Sequence, residues 1–139
     1  MRTFAREVGR PVPFTHTFDP EKKIARIVAV GECDLDSSLA EMLAISSDPR
    51  LASDFGVLLD AREVRYDPTN DEIVTMAETW IRLAGRRALA MVVADVLHVG
   101  LGNMFAIHFE TRGGSASVFR DLTEAEVWLS HRIERELEG

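Results

Sequence analysis

Gly56-Val57-Leu58-Leu59-Asp60 is a run of apolar residues with no polar face, closed by a carboxylate. A strand that is apolar on both faces lies inside a sheet covered on both sides, which in practice means a parallel sheet with helices packed on it. The same rhythm recurs. Val28–Val30 leads to Asp34, Ala90–Ala94 to Asp95, and Val118–Phe119 to Asp121, with a helical pattern after each acid.

Outward from Asp60, the next helix spans about Thr69 to Ala84 and sets Ile73, Ala77, Trp80, Ile81 and Ala84 on one face. Gly85 ends it, because glycine enters the left-handed region at no steric cost. Ala88–Ala94 is a further buried strand, so the chain reads strand–helix–strand around Asp60. Upstream, Phe14–Phe18 and Ile24–Val30 flank the turn residues Asp19-Pro20-Glu21-Lys22-Lys23 and make an antiparallel hairpin, which Gly31 closes. A first helix over about Asp34 to Ser46 turns Leu35, Leu39, Met42 and Leu43 inward. Asp34 or Asp36 caps it, and Asp48-Pro49 stops it. Downstream, a third helix from about Val96 to Phe109 directs Leu97, Leu101, Met104 and Phe105 inward. Thr111–Gly114 is a turn, and Ser115–Phe119 is the last strand. The fourth helix, about Thr123 to Leu137, faces the core with Trp128, Leu129 and Ile133.

The order ββαβαβαβα implies one α/β domain, with a mixed sheet of about five strands whose later members are parallel and joined by right-handed crossovers. Residues 1–13 read as an N-terminal arm carrying Arg2, Arg6 and Arg10, and residues 14–139 as the domain. At 139 residues the chain can bury roughly 68% of its unfolded surface, enough for a core without disulfides or metal.

The net charge of -7 disfavours nucleic acid and anionic membranes as partners, both being polyanions. Cys33 is the single cysteine, which excludes an internal disulfide and a multi-cysteine zinc site. No stretch reaches the ~18 consecutive apolar residues of a membrane span, and Met1–Arg6 lacks the apolar run of a secretory signal. A cytoplasmic protein without membrane insertion is expected.

In parallel sheets ligands sit outside the carboxyl ends of the strands, where Asp34, Asp60, Asp95 and Asp121 fall. Such aspartates could gather around Mg²⁺. Capping and turn formation explain them more simply, so neither metal nor cofactor is expected. The histidines, His16, His98, His108 and His131, are scattered. His98 and His108 point to different faces of one helix, while Asp95 and His98 are placed to touch. Cys33 precedes a helix start, which can lower a thiol pKa, although a small buried apolar side chain is the simpler reading. Gly100 and Gly102 sit inside a helical pattern, so they mark close packing rather than a phosphate-binding loop. Thr69-Asn70-Asp71-Glu72 has the form of a capping box. Glu134, Glu136 and Glu138, with Arg132 and Arg135 between them, read as a solvated face.

Asp60-Ala-Arg-Glu-Val64-Arg-Tyr-Asp67-Pro-Thr69 resembles the strand-to-helix passage of the STAS fold of bacterial anti-sigma-factor antagonists. The resemblance is closer to the SpoIIAA-like branch, also called STAS/SEC14-like. Phe18-Asp-Pro20, Gly31, Asp48-Pro-Arg-Leu51, Gly85-Arg-Arg87, Gly100 with Met104-Phe105, and Val118-Phe-Arg-Asp121 with Ala125 and Trp128-Leu129 occur in the matching order. The likeness implies a non-enzymatic regulatory domain working through a protein partner or as a homodimer. It also implies an alternative, a module for a small apolar molecule or lipid, which an apolar cavity lined by the third helix would favour. A third reading is an Mg²⁺-dependent phospho-acceptor. The antagonists carry a phosphorylatable serine in an Asp-Ser-Ser-Gly turn. This chain has Asp67-Pro-Thr69-Asn70-Asp71, one residue shorter, with Thr69 nearest that position. The interaction surface implied is Asp67, Thr69 and Asn70, with Gly100, Gly102 and Met104 of the third helix.

Overall fold

The computed structural model describes residues 13–138, with the side chains of 136–138 excepted. The N-terminal arm expected at 1–13 therefore lies almost wholly outside the described residues, as do the side chains of Glu136 and Glu138.

The strands are β1 (Phe14–Asp19), β2 (Ile24–Glu32), β3 (Gly56–Arg65), β4 (Ala88–Val92) and β5 (Ser115–Phe119). The helices are α1 (Leu35–Ser46), α2 (Asn70–Ala84), α3 (Val96–Glu110) and α4 (Leu122–Glu138). The sheet order is β1-β2-β3-β4-β5, antiparallel between β1 and β2 and parallel thereafter. This is the α/β arrangement that the strand–helix alternation implies.

The period of two along each strand divides the core. Ala25, Val57, Leu89 and Ala116 stand in one register row, and Ile27, Leu59, Met91 and Val118 in the next. Both rows pack under α1–α3 against Ile45, Ile73, Ala77, Trp80, Phe105, Ala106 and Phe109. The opposite face carries Ile24, Leu58, Ala88, Ala90 and Val92, covered by Ala125, Leu129 and Ile133 of α4. Gly85 closes α2 with φ 74° and ψ -152°, a positive-φ conformation that favours glycine but is extended rather than left-handed helical. His16 of β1 donates to Glu41 of α1 at 2.7 Å, which ties the edge strand to the first helix.

Three expectations need correction. In α1, Leu43 is exposed and Ile45 is fully buried. Leu43 follows Met42 by 100° of turn, whereas Ile45, three residues on, returns to the Ser38–Met42 side. In α3, Leu97 is exposed, and the inward stripe is His98, Leu101, Gly102, Phe105, Ala106 and Phe109. This helix is apolar on nearly every side, so hydrophobicity alone does not select a face.

The third correction concerns β3, which does not end at Asp60. It continues to Arg65, paired with β2, after β4 has stopped pairing at Val92. The β2–β3 register shifts by one residue between Val28 and Val30, which places a bulge near Ala61. Asp60 braces this bulge and caps no helix. Its carboxylate accepts from Arg62 Nε at 2.9 Å, Nη2 at 2.7 Å and the Arg62 amide at 3.2 Å.

Candidate functional site

A cavity lies under α1–α3 and reaches to the overhang of β2 and β3. Between α1–α3 and the sheet face, Leu89 and Met91 of β4 included, a space of about 180 Å³ remains. Ala29, Ala61 and Val93 form its floor. Met42 of α1, Met76 and Trp80 of α2, and Leu101, Gly102 and Phe105 of α3 form its roof. Val64, Tyr66 and Pro68 close one end as β3 turns toward α2. Small residues on the floor leave the room, and methionines around it conform to irregular shapes.

Most polar groups of the lining are engaged. Ser38 donates to the Asp34 carbonyl at 2.8 Å, and Glu41 accepts from His16. His98 Nδ1 lies 2.8 Å from Asp95, and its Nε2 lies 3.0 Å from Asp67 and 3.2 Å from the Tyr66 carbonyl. Among the described residues, Trp80 Nε1 is buried without a partner, and Tyr66 Oη is buried beside the Glu72 carboxylate. Both residues line this cavity, and Trp80 is 3% exposed. An unsatisfied buried donor costs about 1–3 kcal/mol, a cost that Trp80 carries here. Burial first, then the charge of Glu72 and a hydrogen bond to its carboxylate, push the Tyr66 phenol well above its usual range, so it stays protonated and donates to Glu72.

His98 joins the β3–α2 corner to the start of α3. Partial burial disfavours its charged form, but Asp95, the Tyr66 carbonyl and Asp67 together outweigh this and raise its pKa above 6.5. Both ring nitrogens face acceptors, which only the imidazolium can satisfy. The tether is therefore complete below about pH 6.5 and is lost as pH rises through the raised value. The protection factors of the Tyr66 and Asp67 amides, with the intrinsic base catalysis of exchange divided out, should be higher at pH 6 than at pH 8.5, and His98→Gln should abolish the difference. An unchanged difference in that variant would assign the pH response elsewhere.

The other sequence candidates have definite places. Asp34 caps α1, Asp95 caps α3, and Asp121 accepts from the Thr123 amide at 3.4 Å. Asp36 lies in the first turn of α1. Among the described residues no group of three or more His, Cys, Asp or Glu is placed to hold a metal ion. Cys33 is half-buried, and burial, then Asp34 and Glu32, raise its pKa rather than lowering it. Asp67, Thr69 and Asn70 are exposed at the corner. Gly100 is exposed with open space around it, so the close-packing reading fails there. It holds at Gly102, where an added Cβ would lie 2.9 Å from Val118 Cγ2. Met104 is half-buried against the main core.

Thr69 forms the capping box. Its hydroxyl accepts from the Glu72 amide at 3.2 Å, and its own amide donates to Glu72 Oε1 at 3.0 Å. Thr69→Ala should cost about 1 kcal/mol in urea unfolding, while Thr69→Ser and Thr69→Asp should be near neutral. A neutral alanine variant would mean that the box contributes nothing.

Sequence reasoning missed Tyr66, Trp80 and His98 as one site. The available signal was Ala61, Val64 and Tyr66 alternating with charged residues, which marks a strand continuing past Asp60.

The fold and the cavity at its strand ends define an α/β domain of SpoIIAA-like fold. A solved structure, that of an uncharacterized protein of the DUF3478 family with a SpoIIAA-like fold from Shewanella loihica PV-4, superposes with a TM-score of 0.54 at 12% identity. The match covers 84% of this chain and 91% of that one. No family model matches the sequence, and no curated protein does. Among the described residues no helix is long and apolar enough to cross a membrane.

Proposed function

We propose that this chain is a cytoplasmic, non-enzymatic regulatory domain that takes a small apolar molecule into the cavity under α1–α3. The supporting observation is the cavity itself. It is apolar, and it is lined by Leu101, Gly102 and Phe105 of α3. A void kept only for packing would be costly, since interiors are close-packed and lost contacts are not recovered.

The test exploits Trp80. Trp128 is the other tryptophan of the chain, so Trp128→Phe leaves Trp80 as the single indole reporter. Acetophenone or ethylbenzene should shift Trp80 emission saturably and raise the melting temperature. Neither should do so in Ala61→Phe, whose ring would occupy the cavity. The absence of any shift in a folded parent protein would sink the ligand reading.

Action through a protein partner or a second copy is the other reading. It is supported by exposed apolar side chains on α3, Val96 at 76% and Leu97 at 55%, beside the corner that His98 holds. Leu97→Glu should then abolish capture of the partner or lower the mass in solution. An unchanged mass and an unchanged set of captured proteins would remove this reading.

A further inference from the structure

Resting on the ligand reading above, we infer that the part of the molecule held in the cavity is hydrocarbon alone, about one ring with a short alkyl arm in size, and that any polar group it carries stays at the mouth and is not an anion. Three properties of the cavity select this class.

The first is size. Drug-sized ligands occupy cavities of roughly 300–1,000 Å³, and an apolar cavity of about 150 Å³ admits benzene. At about 180 Å³ this cavity has room for a ring and a short arm, not for a two-chain lipid.

The second is that no side-chain hydrogen-bonding group is left over for a ligand. The cavity surface is almost wholly apolar. Ser38 is spent on the Asp34 carbonyl, Glu41 on His16, and the two ring nitrogens of His98 on Asp95, Asp67 and the Tyr66 carbonyl. Tyr66 donates to Glu72. Less than 1 Å² of Trp80 Nε1 or of Tyr66 Oη is exposed, so neither atom faces the open space. A ligand oxygen brought inside would lose its hydrogen bonds to water and gain none from these groups, whereas a hydrocarbon has none to lose.

The third is charge at the mouth. Trp80, Leu89 and Phe105 are buried and close the inner end. Cys33, Tyr66, Pro68 and His98 are part-exposed where the strands end, and the opening lies among them. Five carboxylates surround it: Asp67 and Asp95 against His98, Asp34 and Glu72 near Tyr66, and Glu32 near Cys33. Of the cations, Arg65 faces Glu32 at 3.3 Å, Arg120 acts on Asp95, and His98 is held between Asp67 and Asp95. The balance is negative, so an anionic end is repelled there and a neutral or cationic end is not.

The experiment compares four probes on the full chain by calorimetry: ethylbenzene, acetophenone, phenylpropanol and phenylpropionate, the last two with the polar group at the end of the alkyl arm. Ethylbenzene should bind about tenfold more tightly than acetophenone, whose carbonyl sits too close to the ring to stay outside. Phenylpropanol should bind within about threefold of ethylbenzene, because its hydroxyl reaches the mouth and keeps its water. Phenylpropionate should bind at least about tenfold more weakly than phenylpropanol. Asp34→Asn with Glu32→Gln removes two of the carboxylates and keeps the α1 cap, since asparagine caps as well as aspartate. It should shrink that last gap about threefold or more and leave phenylpropanol unchanged. Acetophenone binding as tightly as ethylbenzene, phenylpropionate binding as tightly as phenylpropanol, or a gap that the double variant does not move would overturn the inference while leaving the ligand reading intact. Binding of none of the four would overturn both.

Discussion

Replacing Gly114 with alanine should destabilise the domain by about 3 kcal/mol, at the upper end of what overpacking usually costs. Gly114 crosses directly over the Phe109 ring. Its amide donates to the Phe109 carbonyl at 3.0 Å, so its backbone cannot lift away cheaply. A Cβ added there would lie 2.3 Å from Phe109 Cε2 and 2.4 Å from Cδ2. The ring has nowhere to go. It is fully buried and stacked on Phe105 with centroids 5.7 Å apart. The clash is with a rigid ring held on both sides, not with the end of a flexible chain. Urea unfolding should show a lower midpoint with an unchanged slope, the mark of a change in stability alone. A loss below about 1 kcal/mol would mean that the α3–β5 turn moves freely and that the Gly114–Phe109 contact is not a constraint. Because Phe105 also lines the cavity, a displaced Phe109 should weaken acetophenone binding in the same variant.

The parts legible in the sequence were those set by local chemistry. The Thr69–Glu72 box, the stop at Gly85 and the strand Ser115–Phe119 depend on neighbours a few residues away, and each stands where local rules place it. The inward face of α2 was legible too, because its polar residues are confined to the other side. α3 has no such contrast, and its facing was settled by Gly102 and Ala106, whose small size lets the helix approach the sheet. The cavity had no sequence signature, since its lining is gathered from four strands and three helices. β3 outruns β4, and the bulge near Ala61 sets where Val64 and Tyr66 fall. The pairing of Tyr66 with Trp80 at one cavity is likewise a tertiary fact. Neither residue differs in sequence from an ordinary core aromatic.

Two glycines two residues apart should respond with opposite signs. Gly102→Leu should destabilise by about 2 kcal/mol through overpacking, and Gly100→Leu should stabilise by up to ~1 kcal/mol through helix propensity. Gly102 meets Val118 of β5. A Cβ there would stand 2.9 Å from Cγ2 and 3.3 Å from Cγ1, and a β-branched residue on a strand has little rotamer freedom with which to yield. Gly100 has no atom within 4 Å of a built Cβ, so a side chain there meets only solvent. The intrinsic preference of leucine over glycine in a helix is the same at both positions, which leaves packing as the difference between them. Urea unfolding of the two variants, with mass in solution measured alongside, reads the contrast. If Gly100→Leu loses stability and also lowers the mass, the open space over Gly100 is filled by a second copy of the chain. If Gly102→Leu matches the parent, Val118 has moved aside and α3 is not fixed to β5 at that point. The acetophenone site would then have a wall able to shift, because Gly102 belongs to its lining.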